Sequence, residues 1–145
     1  MAVREIHTVG ICGSGIMGSG LAEVIARSGK KVVVRSRSIA TAAQLKDAVT
    51  RSLDKQVAKE KITQADSDAA LANITLTDQV AELKDCDLVI ESIVEDLDAK
   101  IALFKELDAV VKPDAILSTN TSTLAVIKLA QVTNRPDKVC GIHFF

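Results

Sequence analysis

The stretch Ile6-His-Thr-Val-Gly-Ile-Cys-Gly-Ser-Gly-Ile-Met-Gly18 constrains this chain more than any other. A short apolar run leads into a glycine-rich turn, and an amphipathic helix opens at about Ile16, with Leu21, Ala22, Val24, Ile25 and Ala26 on its apolar positions. Gly13, Gly15 and Gly18 fill G-x-G-x-x-G. In that strand–turn–helix setting each glycine meets its own need: a tight turn, close approach of main chain to a pyrophosphate, and close packing of helix on strand. The phosphates would meet the helix amino end, where Ile16 and Met17 offer N–H groups and the helix dipole favours negative charge. A purely structural glycine turn is the competing reading, and the strand and helix on either side favour a dinucleotide site.

The rest of the chain repeats the alternation. Lys31–Arg35 reads as a second strand after a stop at Gly29. A long helix runs from Ile39 to about Lys61, and Thr63 caps a shorter one, Gln64–Ala72, so that the two form an inserted helical hairpin. Further strands are expected at 73–76, 86–91, 115–118 and 138–145, and further helices at 96–111 and 123–131. Near-continuous apolar strands separated by helices predict a parallel sheet covered on both faces, a doubly wound α/β (Rossmann-type) domain spanning 1–145. The 145 residues suffice for one core. That core must be aliphatic, since hydrophobic residues are 48% of the chain and aromatics 2%.

Lys and Arg number 18 and Asp and Glu 19, a formal net charge of −1, which excludes a basic footprint for nucleic acid or an anionic membrane. Cys12, Cys86 and Cys140 are too widely spaced for a metal motif and are expected to be reduced, buried thiols, with no metal bound. No apolar run approaches the ~20 residues of a membrane helix. Met1 leads directly into the first strand, which predicts a soluble, cytoplasmic protein. The chain stops at Phe144-Phe145 inside an apolar run, which predicts an amino-terminal part of something longer.

Three further blocks stand in order behind the glycine turn: Val94-Glu-Asp-Leu-Asp-Ala-Lys100, Ser118-Thr-Asn-Thr-Ser-Thr-Leu124 and Gly141-Ile-His-Phe-Phe145. With them the chain resembles the 3-hydroxyacyl-CoA dehydrogenase family over essentially its whole length, most closely the bacterial 3-hydroxybutyryl-CoA dehydrogenase branch. The resemblance implies hydride transfer between an (S)-3-hydroxyacyl-CoA, or its 3-oxo partner, and a nicotinamide. It makes His143 the base that takes and returns the hydroxyl proton, Ser122 the group that holds the substrate oxygen, and Asn120 a neighbour of the nicotinamide. A strand-end histidine suits that role, because ligands bind at the carboxyl ends of parallel strands. His7, at the opposite end of the first strand, reads as a surface residue. From the residues alone, Asn120 and Ser122 fit equally a turn that caps the next helix.

Glu95 and Lys100 match contacts to the nicotinamide ribose; without the resemblance they are solvated charges at a helix start. Ser52 and Lys59 match positions that meet the coenzyme A moiety, against the alternative of a solvated face. A helical substrate and dimerisation domain, a homodimer through it, and a glutamate that orients the histidine are implied farther on, so these 145 residues by themselves are expected to bind dinucleotide and turn over little.

One departure from the family pattern bears on the coenzyme. Members that bind NAD carry an acid at the end of the second strand, for the adenosine ribose 2′-hydroxyl. Here Ser36 takes that place between Arg35 and Arg37. A hydroxyl flanked by guanidinium groups suits a 2′-phosphate, so NADP(H) is expected over NAD(H), with Arg37 first and Arg35 second as its partners. A dinucleotide-binding module without catalysis, and a relative acting on a carrier-protein thioester, are the alternative readings.

Overall fold

The computed structural model describes residues 4–145. Six strands form one sheet: β1 (Thr8–Cys12), β2 (Lys31–Arg35), β3 (Ile74–Thr77), β4 (Leu88–Glu91), β5 (Ile116–Thr119) and β6 (Val139–Gly141). All neighbours are parallel, in the order β3-β2-β1-β4-β5-β6. The connecting helices are α1 (Ile16–Arg27), α2 (Ile39–Ala58), α3 (Gln64–Ala72), α4 (Leu97–Val110) and α5 (Val126–Ala130).

The period of two along each strand divides the apolar residues between two cores. Val9, Ile11, Val32, Val34 and Ile90 face α1, α2 and α3, meeting Leu21, Ala22, Leu45, Val49 and Leu53. Cys12, Val89 and Leu117 face the other way, onto Leu83, Phe104, Leu107 and Leu129. Each buried Val, Leu, Ile or Phe among them stabilises the fold by about 1.5–3 kcal/mol through removal from water. Phe104 is the one phenylalanine in either core; Phe144 and Phe145 are exposed. Among the described residues no helix is long and apolar enough to cross a membrane.

Gly29 and Thr63 act as the sequence suggests: Gly29 has φ +82° and ends α1, and Thr63 closes a reciprocal capping box on α3. Ser38 does the same for α2. Several expected elements come out shorter, two of them at the carboxyl edge of the sheet. The helix expected from Thr123 starts at Val126, because the Thr121 hydroxyl accepts the N–H groups of Thr123 and Leu124 and holds 121–125 in a turn. The last strand ends at Gly141 and not at Phe145: its ladder partner β5 stops at Thr119, and the Phe144 N–H turns to Asn120 Oδ1 at 2.8 Å. Of the three thiols, Cys12 and Cys86 are buried and Cys140 only half-buried, all free. Burial pushes the Cys12 and Cys86 thiols up to about 12, which keeps them protonated and inert at neutral pH.

At the amino edge of the sheet the Asp87 carboxylate accepts the N–H groups of His7 and Thr8, at 2.8 and 2.9 Å, and pairs with Lys112. Partial desolvation raises its pKa. The Lys112 ammonium and the two N–H groups outweigh that and hold it well below its ordinary 3.8. A carboxylate so depressed stabilises the fold above its unfolded value and loses that contribution as pH falls through the folded one. Asp87→Asn is therefore expected to lower the urea midpoint at pH 7, with the gap from the parent narrowing as pH drops below about 4.

Candidate dinucleotide and catalytic site

The strand order reverses between β1 and β4, and in such sheets ligands settle outside the carboxyl ends at that point. A cleft of about 620 Å³ opens there, lined by Gly13, Ser14 and Gly15 on one side and by Ser92, Ile93 and Val94 opposite, with Arg35, Ser36 and Arg37 at one end. The three glycines divide their work. Gly13 has φ +121°, and a Cβ there would run into the Ser92 carbonyl, where β4 leaves the sheet. A Cβ on Gly18 would strike the Gly13 carbonyl, so its absence lets α1 sit close on the turn. At Gly15 a Cβ would touch nothing within 4 Å. The open space in front of Gly15 is where a diphosphate can approach the main chain.

The amino end of α1 is prepared in the same sense. Ser38, Thr63 and Asp96 cap α2, α3 and α4 with side chains, whereas α1 starts at Gly15 with no side-chain cap and no acid in its first turn. Ile16 is 90% exposed and Met17 half-buried at the mouth of that turn. Orphan N–H groups and the positive end of the helix dipole face the cleft. At the β2 end, Ser36 is buried, with its hydroxyl 2.7 Å from Ser14 Oγ and 2.6 Å from Thr41 Oγ1. Arg37 is exposed, while Arg35 is half-buried with its Nε unpartnered. A buried guanidinium N–H without an acceptor, in a cleft with no carboxylate at the end of β2, fits an anionic ligand group.

Beyond the turns, the carboxyl ends of β4 and β5 carry a buried polar cluster. Glu91 Oε1 accepts from Lys100 Nζ and from the Ile93 N–H, both at 2.8 Å, and Oε2 accepts from Thr119 Oγ1 at 2.6 Å. Lys100 also reaches Glu95 Oε2 at 3.2 Å, and Glu95 accepts from the Thr121 hydroxyl. The Thr121 hydroxyl, against some desolvation and aided by Lys100, holds the Glu95 carboxyl below its ordinary range. Asn120 bridges this cluster to the chain's end: its Nδ2 donates to Ser92 Oγ at 3.3 Å and its Oδ1 accepts from Phe144 N. His143 and Ser122 both stand exposed at this carboxyl edge, with no hydrogen bond joining them among the described residues.

Residues 8–145 match the family model described as "3-hydroxyacyl-CoA dehydrogenase, NAD binding domain". The chain belongs to the 3-hydroxyacyl-CoA dehydrogenase family. It is 43% identical over 141 residues to a 3-hydroxybutyryl-CoA dehydrogenase of Mycobacterium tuberculosis, covering 97% of this chain and 49% of that protein. It is 41% identical over 135 residues to one from Clostridioides difficile, covering 93% and 48%. Among solved structures, (S)-3-hydroxybutyryl-CoA dehydrogenase from Ralstonia eutropha superposes with a TM-score of 0.94 at 41% identity, over 97% of this chain and 50% of that one. The chain thus spans about half the length of these relatives.

Within this NAD-binding domain of the 3-hydroxyacyl-CoA dehydrogenase family, the cleft unites Gly13, Gly15, Arg35, Ser36 and Arg37, and the strand ends gather Glu95, Lys100, Asn120, Ser122 and His143. Ser52 and Lys59 do not line the cleft: Ser52 is half-buried on α2 beside Gln56, and Lys59 is exposed where α2 ends. Lys100 corrects the picture of a solvated charge, since its side chain is 0% exposed. Glu91, Ser14 and Thr41 are polar groups of the site that reading the sequence passed over. Glu91 carried a legible signal, a carboxylate closing an otherwise apolar strand.

Proposed function

We propose that this domain serves an oxidoreductase interconverting a short-chain (S)-3-hydroxyacyl-CoA and its 3-oxoacyl-CoA, with NADP(H) preferred over NAD(H). The nicotinamide supplies or takes up the hydride. Gly13, Gly15 and the first N–H groups of α1, at Ile16 and Met17, hold the diphosphate. Glu95 and Asn120 border the nicotinamide end, and buried Lys100 acts there by holding Glu95 from beneath. His143 takes the hydroxyl proton during oxidation and returns it during reduction, Ser122 holds the substrate oxygen, and Ser52 and Lys59 meet the coenzyme A portion. An imidazole at a strand end is chemically suited to carry that proton.

The observation that supports the coenzyme preference is the end of β2. Arg35 and Arg37 border the same cleft as the glycine turn, with a serine and no carboxylate between them. A carboxylate there would repel a phosphate, and a guanidinium attracts one through charge-assisted hydrogen bonds. Calorimetric titration is expected to give tighter binding of NADPH than of NADH, and Arg37→Ala is expected to weaken NADPH by about tenfold with little effect on NADH. Tighter binding of NADH to the parent would overturn the preference. In a protein that also carries the helical substrate domain, His143→Gln is expected to leave both affinities unchanged while removing hydride transfer; loss of affinity instead would make His143 a structural residue.

A further inference from the structure

The hydroxyls beneath the β2 end form a chain whose protons can be counted. Thr41 Oγ1 lies 2.9 Å from the Ser38 carbonyl, which can only accept, 3.1 Å from Ser38 Oγ and 2.6 Å from Ser36 Oγ, and it accepts the Ser38 N–H at 3.3 Å; Ser36 Oγ lies 2.7 Å from Ser14 Oγ. If the Thr41 proton goes to the Ser38 carbonyl, Ser36 donates to Thr41 and Ser14 donates to Ser36. Both serines then turn lone pairs toward the cleft. The Ser38 carbonyl, however, also accepts the Ala42 N–H at 3.1 Å, so it does not depend on Thr41. The chain can reverse, Thr41 donating to Ser36 and the serines donating outward, and no buried acceptor is orphaned.

The two polarities suit different ligands. A ribose 2′-hydroxyl has a proton to give and accepts as well, so it fits either direction. A 2′-phosphate has only acceptors and needs the outward direction. Resting on the coenzyme reading above, we propose that Thr41 is a positioning residue for coenzyme choice. It never meets the ligand, but by offering an inward acceptor to Ser36 it lowers the preference of the 2′ pocket for phosphate over hydroxyl. Ser14, on the glycine turn, is the outer end of the same device.

The test is the ratio of NADH to NADPH dissociation constants by calorimetry in the parent, Thr41→Val and Thr41→Ser. Thr41→Val keeps the side-chain shape and removes the inward acceptor, so the Ser36 proton must point outward. Its ratio is expected to move toward NADPH by about three- to tenfold, mainly through tighter NADPH binding. Thr41→Ser restores the hydroxyl and is expected to restore the parental ratio. Any loosening of the α2 cap weakens both coenzymes alike and cancels in the ratio. An unchanged ratio in Thr41→Val, or an equal shift in Thr41→Ser, overturns the role of Thr41. A parent that favours NADH sinks the NADP(H) preference and leaves the Thr41 shift to be read by itself. No uptake of either coenzyme overturns both.

Discussion

Lys100→Met is expected to destabilise the domain by about 3–5 kcal/mol, the cost of leaving one buried charge without its partner. The Lys100 and Glu91 side chains are both 0% exposed and meet at 2.8 Å, so neither can turn to water when the other is removed. Glu91 keeps its bonds from Ile93 N–H and Thr119 hydroxyl in the variant, but neutral donors do not replace an ammonium. For a domain of this length the loss corresponds to about 10 °C in Tm or a clear drop in urea midpoint. Pairing it with Glu91→Leu is expected to recover part of the loss, since a well-packed apolar pair replaces an ionic one at little cost. Recovery stays partial because the Ile93 N–H and Thr119 hydroxyl then lose their acceptor. A loss below about 1 kcal/mol in the single variant would match an exposed ion pair and contradict the burial seen here.

The same pair shows why part of the site was hidden in the sequence. Helix periodicity places Lys100 one turn into α4, where a lysine is ordinarily solvated. Its burial depends on Glu91, nine positions earlier at the end of β4, and on Thr119 at the end of β5. Only the parallel pairing of β4 with β5, with Glu91 opposite Thr119, brings those groups to one point. Side-chain partners separated by a strand crossing leave no trace in local spacing. The Thr121 hydroxyl is a similar case: it displaces the start of α5 to Val126 by a local competition that propensity does not rank.

What could be read came from patterns whose cause is local. The glycine turn, the stop at Gly29 and the cap at Thr63 are each settled within a few residues of chain, and each stands where expected. The doubly wound sheet followed from apolar strands alternating with helices, because parallel strands need covering on both faces. The end of α2 shows the limit of that reasoning: a helix is expected to about Lys61, but it stops at Ala58 and Glu60 turns to φ +56°.

Gly15→Ala is expected to leave the fold intact and to weaken dinucleotide binding by at least about tenfold, or 1.4 kcal/mol. At Gly15 the backbone has φ −74°, which alanine adopts freely, and the new Cβ meets no atom within 4 Å. The small gain from a stiffer unfolded chain roughly offsets the poorer cap, so Tm is expected to hold. The methyl group instead enters the space that the diphosphate needs in order to reach the main chain. Gly13→Ala is the contrasting case. Its φ of +121° is strained for any side chain, and its Cβ would collide with the Ser92 carbonyl, so it is expected to lose about 3 kcal/mol of stability whether or not ligand is present. Thermal unfolding beside coenzyme titration separates the two. A Gly15→Ala protein that melts like the parent and still binds either coenzyme as tightly would show that the phosphates do not approach this turn, and the assignment of the cleft would fall with it.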